Sequence, residues 1–343
     1  MRKLLSILSV VVLTTTTSIN AITCGCEKNN IVNNFYVLGD SLSDVGALTG
    51  AGSQFFQNIP FQKHDVELKP PYYQNRSWCN GPVVTELVSE KLKQKSIAGW
   101  DFLALNLSRH SRVGNNYAFG GALACKIPLS VEGLFLNKFS LSSQLTSLLK
   151  QHNNFTKNDL VFINIGSNDL MKIIDNNISD IDNAIENIIL EIKSNLKKLI
   201  DIKCQHIIIT NIADMGLIPN YKATSKQSKM TNCVNKYNEK LQEEISELNK
   251  KYTNIVKEYD TFSKFNNLLA SFTNRGSQYQ NSNATTIDIN TLGTTGILQP
   301  QYVTGANPQN IDNYFFIDQF HPTKWVQEQS ANDLYEFILE NKL

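Results

Sequence analysis

The stretch FYVLGDSLSD, residues 35–44, joins a short apolar run to a polar turn. Its first four residues are apolar and end at Gly39, a pattern typical of a strand that is buried on both faces. Ser41 follows directly, and a serine on a strand-to-helix turn can present its hydroxyl group at the edge of a sheet. A Gly-Asp-Ser triplet alone also fits an ordinary turn or helix cap, so its meaning depends on the rest of the chain.

Outward from this strand, apolar runs alternate with helical patterns. Runs at 160–165 and 206–210 predict two more buried strands, and Ile255-Val256 begins a fourth. Helical patterns occur at 83–92, 141–149, 178–200, 228–250 and from about Pro322 onward. This alternation predicts an α/β fold, a three-layer α/β/α sandwich with a mostly parallel central sheet. Ligands of such sheets bind beyond the carboxyl ends of the strands, where we expect the functional residues.

Two long stretches, residues 46–80 and 272–313, show little periodicity. Structureless segments of this length are uncommon in a compact domain and often form lids or flexible insertions. We therefore predict a single domain over residues 22–343 that carries two irregular insertions.

The first residues are typical of a secretory signal peptide. Arg2 and Lys3 precede an apolar run at 4–13, and small residues lead to Ala21. The run is too short to span a bilayer, so we predict cleavage after Ala21 and export to the extracellular space or the periplasm. A lipoprotein signal is the alternative because Cys24 and Cys26 follow closely, although the residues before them fit lipid attachment poorly.

Charge and cysteine content exclude several classes of function. The net charge is +1, which gives no global attraction to nucleic acid or anionic lipid. The six cysteines, at 24, 26, 79, 125, 204 and 233, could pair in an oxidising compartment, but their connectivity cannot be deduced. They lack the ligand spacing of a zinc site, so we predict neither a metal nor a cofactor. His64, His110, His152 and His206 are isolated, and we predict structural or exposed roles for them.

A second polar segment, Asp318-Gln319-Phe320-His321-Pro322, supplies what Ser41 lacks. A serine hydroxyl is a poor nucleophile until a base takes its proton, and the base needs an acceptor that fixes its tautomer. Asp318 and His321 can meet directly on a turn, with Pro322 at the start of the final helix. These residues predict Ser41 as nucleophile and His321 as base.

Two further segments offer the N–H donors that a tetrahedral oxyanion requires. One is Asn115 to Ala122, in which two glycines let the backbone approach a ligand closely. The other is Gly166-Ser167-Asn168-Asp169, which follows the second strand and contains an amide donor. Each segment also has a structural explanation, a tight turn in the first case and a helix N-cap in the second.

In this order, the four segments resemble the four sequence blocks of the GDSL, or SGNH, hydrolase superfamily. The resemblance implies that Ser41 is the nucleophile and that His321 is the base, oriented by Asp318. It also implies that Gly121, Asn168 and the Ser41 N–H stabilise the oxyanion. Gly121 is preferred to Gly120 because it lies five residues after Asn116.

More specifically, the chain resembles the bacterial secreted lipolytic branch of that superfamily, which includes glycerophospholipid:cholesterol acyltransferases, thermolabile haemolysins and lysophospholipases A. This resemblance covers nearly all of the mature chain. The matching stretches are 70–73, 80–82, 159–161, 211–216 and 316–323. The chain departs from that branch at Arg76-Ser77-Trp78-Cys79-Asn80-Gly81, which carries an extra residue and a cysteine.

This resemblance implies hydrolysis of (lyso)phospholipid esters with transient contact to a membrane surface, and acyl transfer to a sterol as a further activity. One alternative is an esterase for carbohydrate or short-chain esters, because fold does not fix function. Another is an exported binding protein on an inactive hydrolase scaffold. The complete set of five residue types argues against that third possibility. The oligomeric state is not predicted.

Overall fold

The computed structural model describes residues 32–57, 64–101, 111–128 and 131–343. The predicted signal peptide at 1–21, Cys24, Cys26 and His110 lie outside these residues. So does part of the first predicted insertion.

The described residues form strands and helices in alternation. The strands are β1 (Phe35–Gly39), β2 (Glu67–Leu68), β3 (Leu160–Asn164), β4 (His206–Thr210), β5 (Val256–Tyr259), β6 (Gln280–Asn283), β7 (Thr285–Thr286), β8 (Ile297–Leu298), β9 (Gln301–Tyr302) and β10 (Tyr314–Phe316). The helices are α1 (Ala47–Gln57), α2 (Val84–Lys91), α3 (Val131–Leu136), α4 (Leu141–Gln151), α5 (Ser167–Asp175), α6 (Ile181–Asp201), α7 (Gln227–Tyr252), α8 (Thr261–Thr273), α9 (Asn290–Thr295) and α10 (Lys324–Glu340).

The main sheet in this part of the chain has the order β1-β3-β4-β5, and every neighbouring pair is parallel. The segment 115–119 extends it beyond β1. The Val37 N–H donates to the Asn115 carbonyl at 2.8 Å, and the Tyr117 N–H donates to the Val37 carbonyl at 2.8 Å. This segment therefore acts as a further parallel strand, although only single bridges join it to its neighbours.

Helices cover the sheet on both faces because its side chains alternate between two apolar layers. Phe35, Val37 and Phe162 point to the layer that contains Val88 of α2 and the buried residues of α10 from Ala331 onward. Leu38, Val161, Ile163 and their neighbours point to the larger layer formed with α4, α5, α6 and α7. The predicted three-layer α/β/α sandwich with a mostly parallel sheet is confirmed.

The two stretches predicted to be irregular contain more structure than expected. Within 46–80, α1 packs so closely that a Cβ on Gly50 would lie 2.7 Å from the Trp100 ring. Apolar residues at 48, 51 and 55 have helical spacing, but Gly50 and Gly52 weaken the local helical signal.

The 272–313 stretch contains α9 and the short strands β6 to β9. Two of these strands pair outside the stretch, β6 with β10 and β8 with β2, whereas β7 and β9 pair with each other. These strands have only two to four residues each, too few to give a periodic signal in the sequence.

The four described cysteines are unpaired. Cys79, Cys204 and Cys233 are buried thiols, and Cys125 is half-buried. They behave as small apolar side chains in the core rather than as disulfides. Among the described residues, no helix is both long and apolar enough to cross a membrane.

Candidate active site

Ser41, His321 and Asp318 meet at the carboxyl edge of the sheet. The Ser41 Oγ lies 2.9 Å from the His321 Nε2, although the two residues are 280 positions apart in the chain. On the other side of the ring, the His321 Nδ1 lies 2.8 Å from the Asp318 Oδ2. The order hydroxyl–imidazole–carboxylate is that of an activated serine nucleophile.

A tight turn after β10 holds Asp318 and His321 in this geometry. The Ile317 N–H donates to the His321 carbonyl at 2.8 Å, which closes the turn. The Asp318 Oδ1 accepts the N–H groups of Phe320 at 2.7 Å and of His321 at 2.9 Å. Pro322 lies in this turn and bridges back to Phe316, so α10 begins two residues later than predicted, at Lys324.

The Asp318 carboxyl is fully buried yet remains ionised. Burial alone would raise its pKa. The charge of His321 and the hydrogen bonds from His321, Tyr72 and the Phe320 N–H together hold the pKa below its ordinary value. Asp318 therefore keeps the negative charge that orients His321.

The turn that carries Ser41 is shaped by Asp40. The Asp40 Oδ1 accepts the Leu42 N–H at 3.0 Å, and the Asp40 carbonyl accepts the Ser43 N–H at 3.1 Å. The Ser41 N–H has no partner among the described residues, so it is free to donate to a bound ligand. Burial raises the pKa of Asp40 to about 6.

The geometry of the glycine pair distinguishes Gly121 from Gly120. The Gly120 N–H already donates to the Asp44 Oδ2 at 2.8 Å, whereas the Gly121 N–H has no partner in the described part of the chain. Gly121 has a φ of +82°, a conformation that favours glycine. A Cβ on Gly120 would lie 2.5 Å from the Trp78 Nε1, so this position also requires glycine. Of the two N–H groups, only that of Gly121 is available to an oxyanion.

Asn168 lies in the first turn of α5 and faces the same loop. Its Nδ2 donates to the Ala122 carbonyl at 2.9 Å, and its second amide hydrogen is left for a ligand. The helix-cap explanation is wrong for this segment, because Gly166 is the N-cap and no side chain caps α5. Asp169 instead accepts the N–H groups of Ala124 at 2.8 Å and Cys125 at 3.0 Å.

Two buried carboxyl groups, Asp44 and Asp169, connect the parts of the site. Asp44 accepts the N–H groups at the start of α1 as well as that of Gly120, so it joins the Ser41 turn to the glycine loop. Asp169 joins the same loop to α5. Burial raises the pKa of Asp44 to about 6 and that of Asp169 to about 7, against the opposing effect of these backbone hydrogen bonds.

Sequence reasoning missed two aromatic contacts with the catalytic pair. The Tyr72 hydroxyl donates to the Asp318 Oδ2, and the Trp78 ring lies over the His321 ring with a centroid distance of 4.9 Å. Trp78 belongs to the stretch 76–81 that departs from the lipolytic branch, so this departure reaches the catalytic pair. The only available signal was the occurrence of these aromatic residues in a loop.

The other described histidines lie apart from the triad. His152 contacts the Gly114 carbonyl through its Nε2 at 2.7 Å, and His64 stacks on Phe56. In the described ranges, no three His, Cys, Asp or Glu side chains form a group that could hold a metal ion. The absence of a cofactor stays a prediction.

Comparison with known proteins identifies the family of this chain. The chain is 25% identical over 331 residues to a GDSL esterase/lipase of Arabidopsis thaliana, a match that covers 84% of this chain and 83% of that protein. Among solved structures, it is similar to an acetyl xylan esterase variant of Geobacillus stearothermophilus, with 14% identity, a TM-score of 0.44 and coverage of 89% and 95%.

A second similar structure is LAE5, an α/β hydrolase from the metagenome of Lake Arreo. It has 12% identity, a TM-score of 0.38 and coverage of 88% of this chain and 93% of that one. The family model described as GDSL-like lipase/acylhydrolase matches residues 35–334, which span all four segments of the site. The chain therefore belongs to the GDSL-like lipase/acylhydrolase family, whose members are ester hydrolases.

Proposed function

We propose that this protein hydrolyses carboxylic esters of (lyso)phospholipids through an acyl-enzyme on Ser41. The observation that carries the proposal is the 2.9 Å contact between the Ser41 Oγ and the His321 Nε2, with Asp318 behind the imidazole. Free N–H groups on Ser41 and Gly121 and the spare amide hydrogen of Asn168 support an oxyanion site beside this hydroxyl.

In the first half of the reaction, the Ser41 Oγ attacks the ester carbonyl carbon while the His321 Nε2 takes the hydroxyl proton. The carbonyl oxygen becomes an oxyanion and accepts hydrogen bonds from Ser41, Gly121 and Asn168. The bond between the carbonyl carbon and the alcohol oxygen then breaks. His321 returns the proton to that oxygen, and the alcohol leaves.

In the second half, water takes the place of the alcohol. His321 removes a proton from the water while the water oxygen attacks the acyl carbon. The attack forms a second tetrahedral oxyanion, which the same three donors stabilise. The bond to the Ser41 Oγ then breaks, His321 returns the proton to that oxygen, and the fatty acid leaves. Nothing in this chemistry requires the acceptor to be water, so we also propose acyl transfer to a sterol hydroxyl.

An apolar wall beside Gly121 supports a long acyl group. The Leu136 side chain would lie 3.9 Å from a Cβ on Gly121, and half-buried Phe135 follows the oxyanion loop in the chain. Phe135 contacts Phe119 and Phe55, with ring centroids 5.6 and 4.7 Å apart. An acyl chain that leaves the oxyanion site along this wall would bury apolar area, which stabilises it by about 0.8 kcal/mol per methylene.

The phospholipid head group, export and membrane contact rest on the resemblance to the secreted lipolytic branch. That resemblance supports a protein located in the extracellular space or the periplasm, with a lipid substrate at a membrane surface.

A carbohydrate ester is the second candidate, because the triad and the oxyanion donors can act on any carboxylic ester. An uncharged cavity of about 490 Å³ has Gln278, Asn283 and Asn313 in its lining, whose amides suit the hydroxyl groups of a sugar. None of the five catalytic residues lines this cavity, so a sugar bound there would lie outside the reacting centre.

Acyl chain-length profiling distinguishes the two candidates. We expect kcat/KM on p-nitrophenyl esters to rise from acetate to long acyl chains, and fatty acid to be released from phosphatidylcholine vesicles. Ser41→Ala should abolish both activities, because loss of the nucleophile typically costs several orders of magnitude. A profile that peaks at acetate, together with inert vesicles, would favour the carbohydrate esterase. If Ser41→Ala keeps activity within about tenfold of the wild type, ester cleavage at Ser41 is wrong.

A further inference from the structure

Tyr72 is brought to the catalytic carboxylate from a distant part of the chain. Its hydroxyl group donates to the Asp318 Oδ2 across 246 positions of sequence. Tyr72 is 3% exposed and Asp318 is 0% exposed, so water does not compete for this contact. A hydrogen bond between a buried phenol and a buried carboxylate is charge-assisted and therefore strong.

The two oxygens of Asp318 are held in different ways. The Oδ1 accepts the N–H groups of Phe320 and His321, which belong to the same turn as the carboxylate. Apart from His321 itself, Tyr72 is the one described residue that donates to the Oδ2. The backbone of the turn therefore fixes one oxygen, and Tyr72 fixes the other. The His321 Nδ1 lies 2.8 Å from the Oδ2 and 3.0 Å from the Oδ1.

The same segment also supports the imidazole ring. Trp78 covers the His321 ring at 4.9 Å, and the Tyr72 and Trp78 rings meet edge to face at 5.8 Å. The Tyr73 N–H donates to the Cys79 carbonyl at 2.8 Å, which closes the segment into a loop. Tyr72 thus belongs to a packed unit and not to a freely moving chain.

We propose that Tyr72 is a positioning residue that acts through Asp318: its phenol holds the Oδ2 so that His321 presents its Nε2 to Ser41. The inference rests on the proposed function, because it assigns Tyr72 to the same reaction. When His321 takes the Ser41 proton, the imidazolium is stabilised only if the carboxylate stays in the ring plane. The Tyr72 hydroxyl on the Oδ2 opposes rotation of the carboxylate, together with the two N–H groups on the Oδ1.

Removal of the phenol hydroxyl should affect the reaction more than substrate binding. We expect Tyr72→Phe to lower kcat by roughly 10- to 100-fold, the effect of losing one hydrogen bond to a charged group, with KM nearly unchanged. Tyr73→Phe is the matched control, because Tyr73 is the adjacent, half-buried tyrosine whose hydroxyl contacts the Gln74 side chain instead. We expect this control to behave like the wild type.

The pH profile supplies a second readout. The Tyr72 hydroxyl partly neutralises the negative charge of the Asp318 carboxylate by donating a hydrogen bond to it. Without this hydrogen bond, the carboxylate of the variant should attract the His321 proton more strongly. The acid limb of kcat/KM should therefore move to higher pH. Asp40, whose charge also acts on His321, is unchanged in the variant and contributes equally to both profiles.

A double-mutant cycle tests whether Tyr72 acts through Asp318. In an Asp318→Asn background, Tyr72→Phe should cause a much smaller loss than in the wild type, because the positioned group is already gone. An equal loss in both backgrounds would overturn the inference, and so would a Tyr72→Phe enzyme within twofold of the wild type with an unshifted acid limb. These outcomes concern Tyr72 alone, whereas an active Ser41→Ala variant would overturn the proposed function.

A measurement without substrate keeps the inference testable should Tyr72→Phe fold poorly. In the wild type, the proton between the His321 Nδ1 and Asp318 should give a strongly deshielded proton NMR resonance. This resonance should disappear in Asp318→Asn and shift in Tyr72→Phe. A wild-type protein without such a resonance across the active pH range would refute the arrangement that Tyr72 is inferred to support.

Discussion

Replacement of Asn168 by Ala separates a transition-state contact from a structural one. The Asn168 Nδ2 keeps one hydrogen on the Ala122 carbonyl at 2.9 Å and leaves the other for an oxyanion. The variant loses both contacts, but the loop beyond Ala122 stays attached to α5 because Asp169 still accepts the Ala124 and Cys125 N–H groups. The loss should therefore fall on catalysis and not on folding.

The size of the effect follows from the loss of one oxyanion donor. We expect kcat to fall by roughly 10²–10³-fold, which corresponds to about 2.7–4 kcal/mol, with little change in KM. KM should hold because the ester carbonyl acquires its negative charge only in the transition state. Asn168→Asp should be at least as damaging, since a carboxylate would face the developing oxyanion.

The assay is steady-state kinetics on a soluble p-nitrophenyl ester, combined with thermal unfolding of each variant. Ser167→Ala is the control, because it alters the same first turn of α5 without removing the amide. If Asn168→Ala raises KM and leaves kcat intact, Asn168 binds the ground state and the oxyanion role is wrong. If Ser167→Ala is equally impaired, the effect belongs to the helix and not to the amide.

Activity should decline at acid pH, because a protonated His321 cannot take the Ser41 proton, and Asp318→Asn should abolish most of it; a flat kcat/KM profile from about pH 5 to 8 would indicate another base. Because the pKa of Asp318 is lower in the folded protein than the value of about 3.9 expected in the unfolded chain, its ionised form stabilises the fold above about pH 4. This contribution to the free energy of unfolding should disappear as the pH falls below about 4, and urea unfolding of the wild type and Asp318→Asn at several pH values measures it. Limited proteolysis should cut first within 272–313, at residues 304–309, of which all but Ala306 are exposed, and should impair vesicle hydrolysis more than hydrolysis of a soluble ester; first cuts elsewhere would contradict this. Vesicles that contain cholesterol should yield cholesteryl ester as well as fatty acid, and fatty acid alone would leave a plain phospholipase.

The sheet and the order of the four catalytic segments could be predicted because each corresponds to a short, contiguous pattern in the sequence. Consecutive apolar residues in β1, β3 and β4 indicated buried parallel strands, and the carboxyl-edge rule then placed Ser41 and Asn168. The segment before Gly121 could not be recognised as a strand, because 115–119 begins with two asparagines and pairs only through single bridges.

The supporting contacts could not be predicted because they join residues that are remote in the sequence. The local sequence Pro70-Pro71-Tyr72-Tyr73 does not show which of its two tyrosines contacts Asp318. The same holds for Asp44. It lies in the turn after Ser41, but its carboxylate also accepts the N–H of Gly120, 76 positions away. Such contacts depend on the completed tertiary structure.

The distance of 280 positions between Ser41 and His321 has a consequence for the order in which activity appears. Contacts between remote segments form late in folding, because the loop between them must be closed first. His321 reaches Ser41 only after β10 and α10 have docked, and α10 packs in the layer on α2 that covers β1. Secondary structure should therefore recover before esterase activity during refolding, a lag that parallel circular dichroism and activity measurements would detect. An ester hydrolase built in this way becomes active only when α10 is in place.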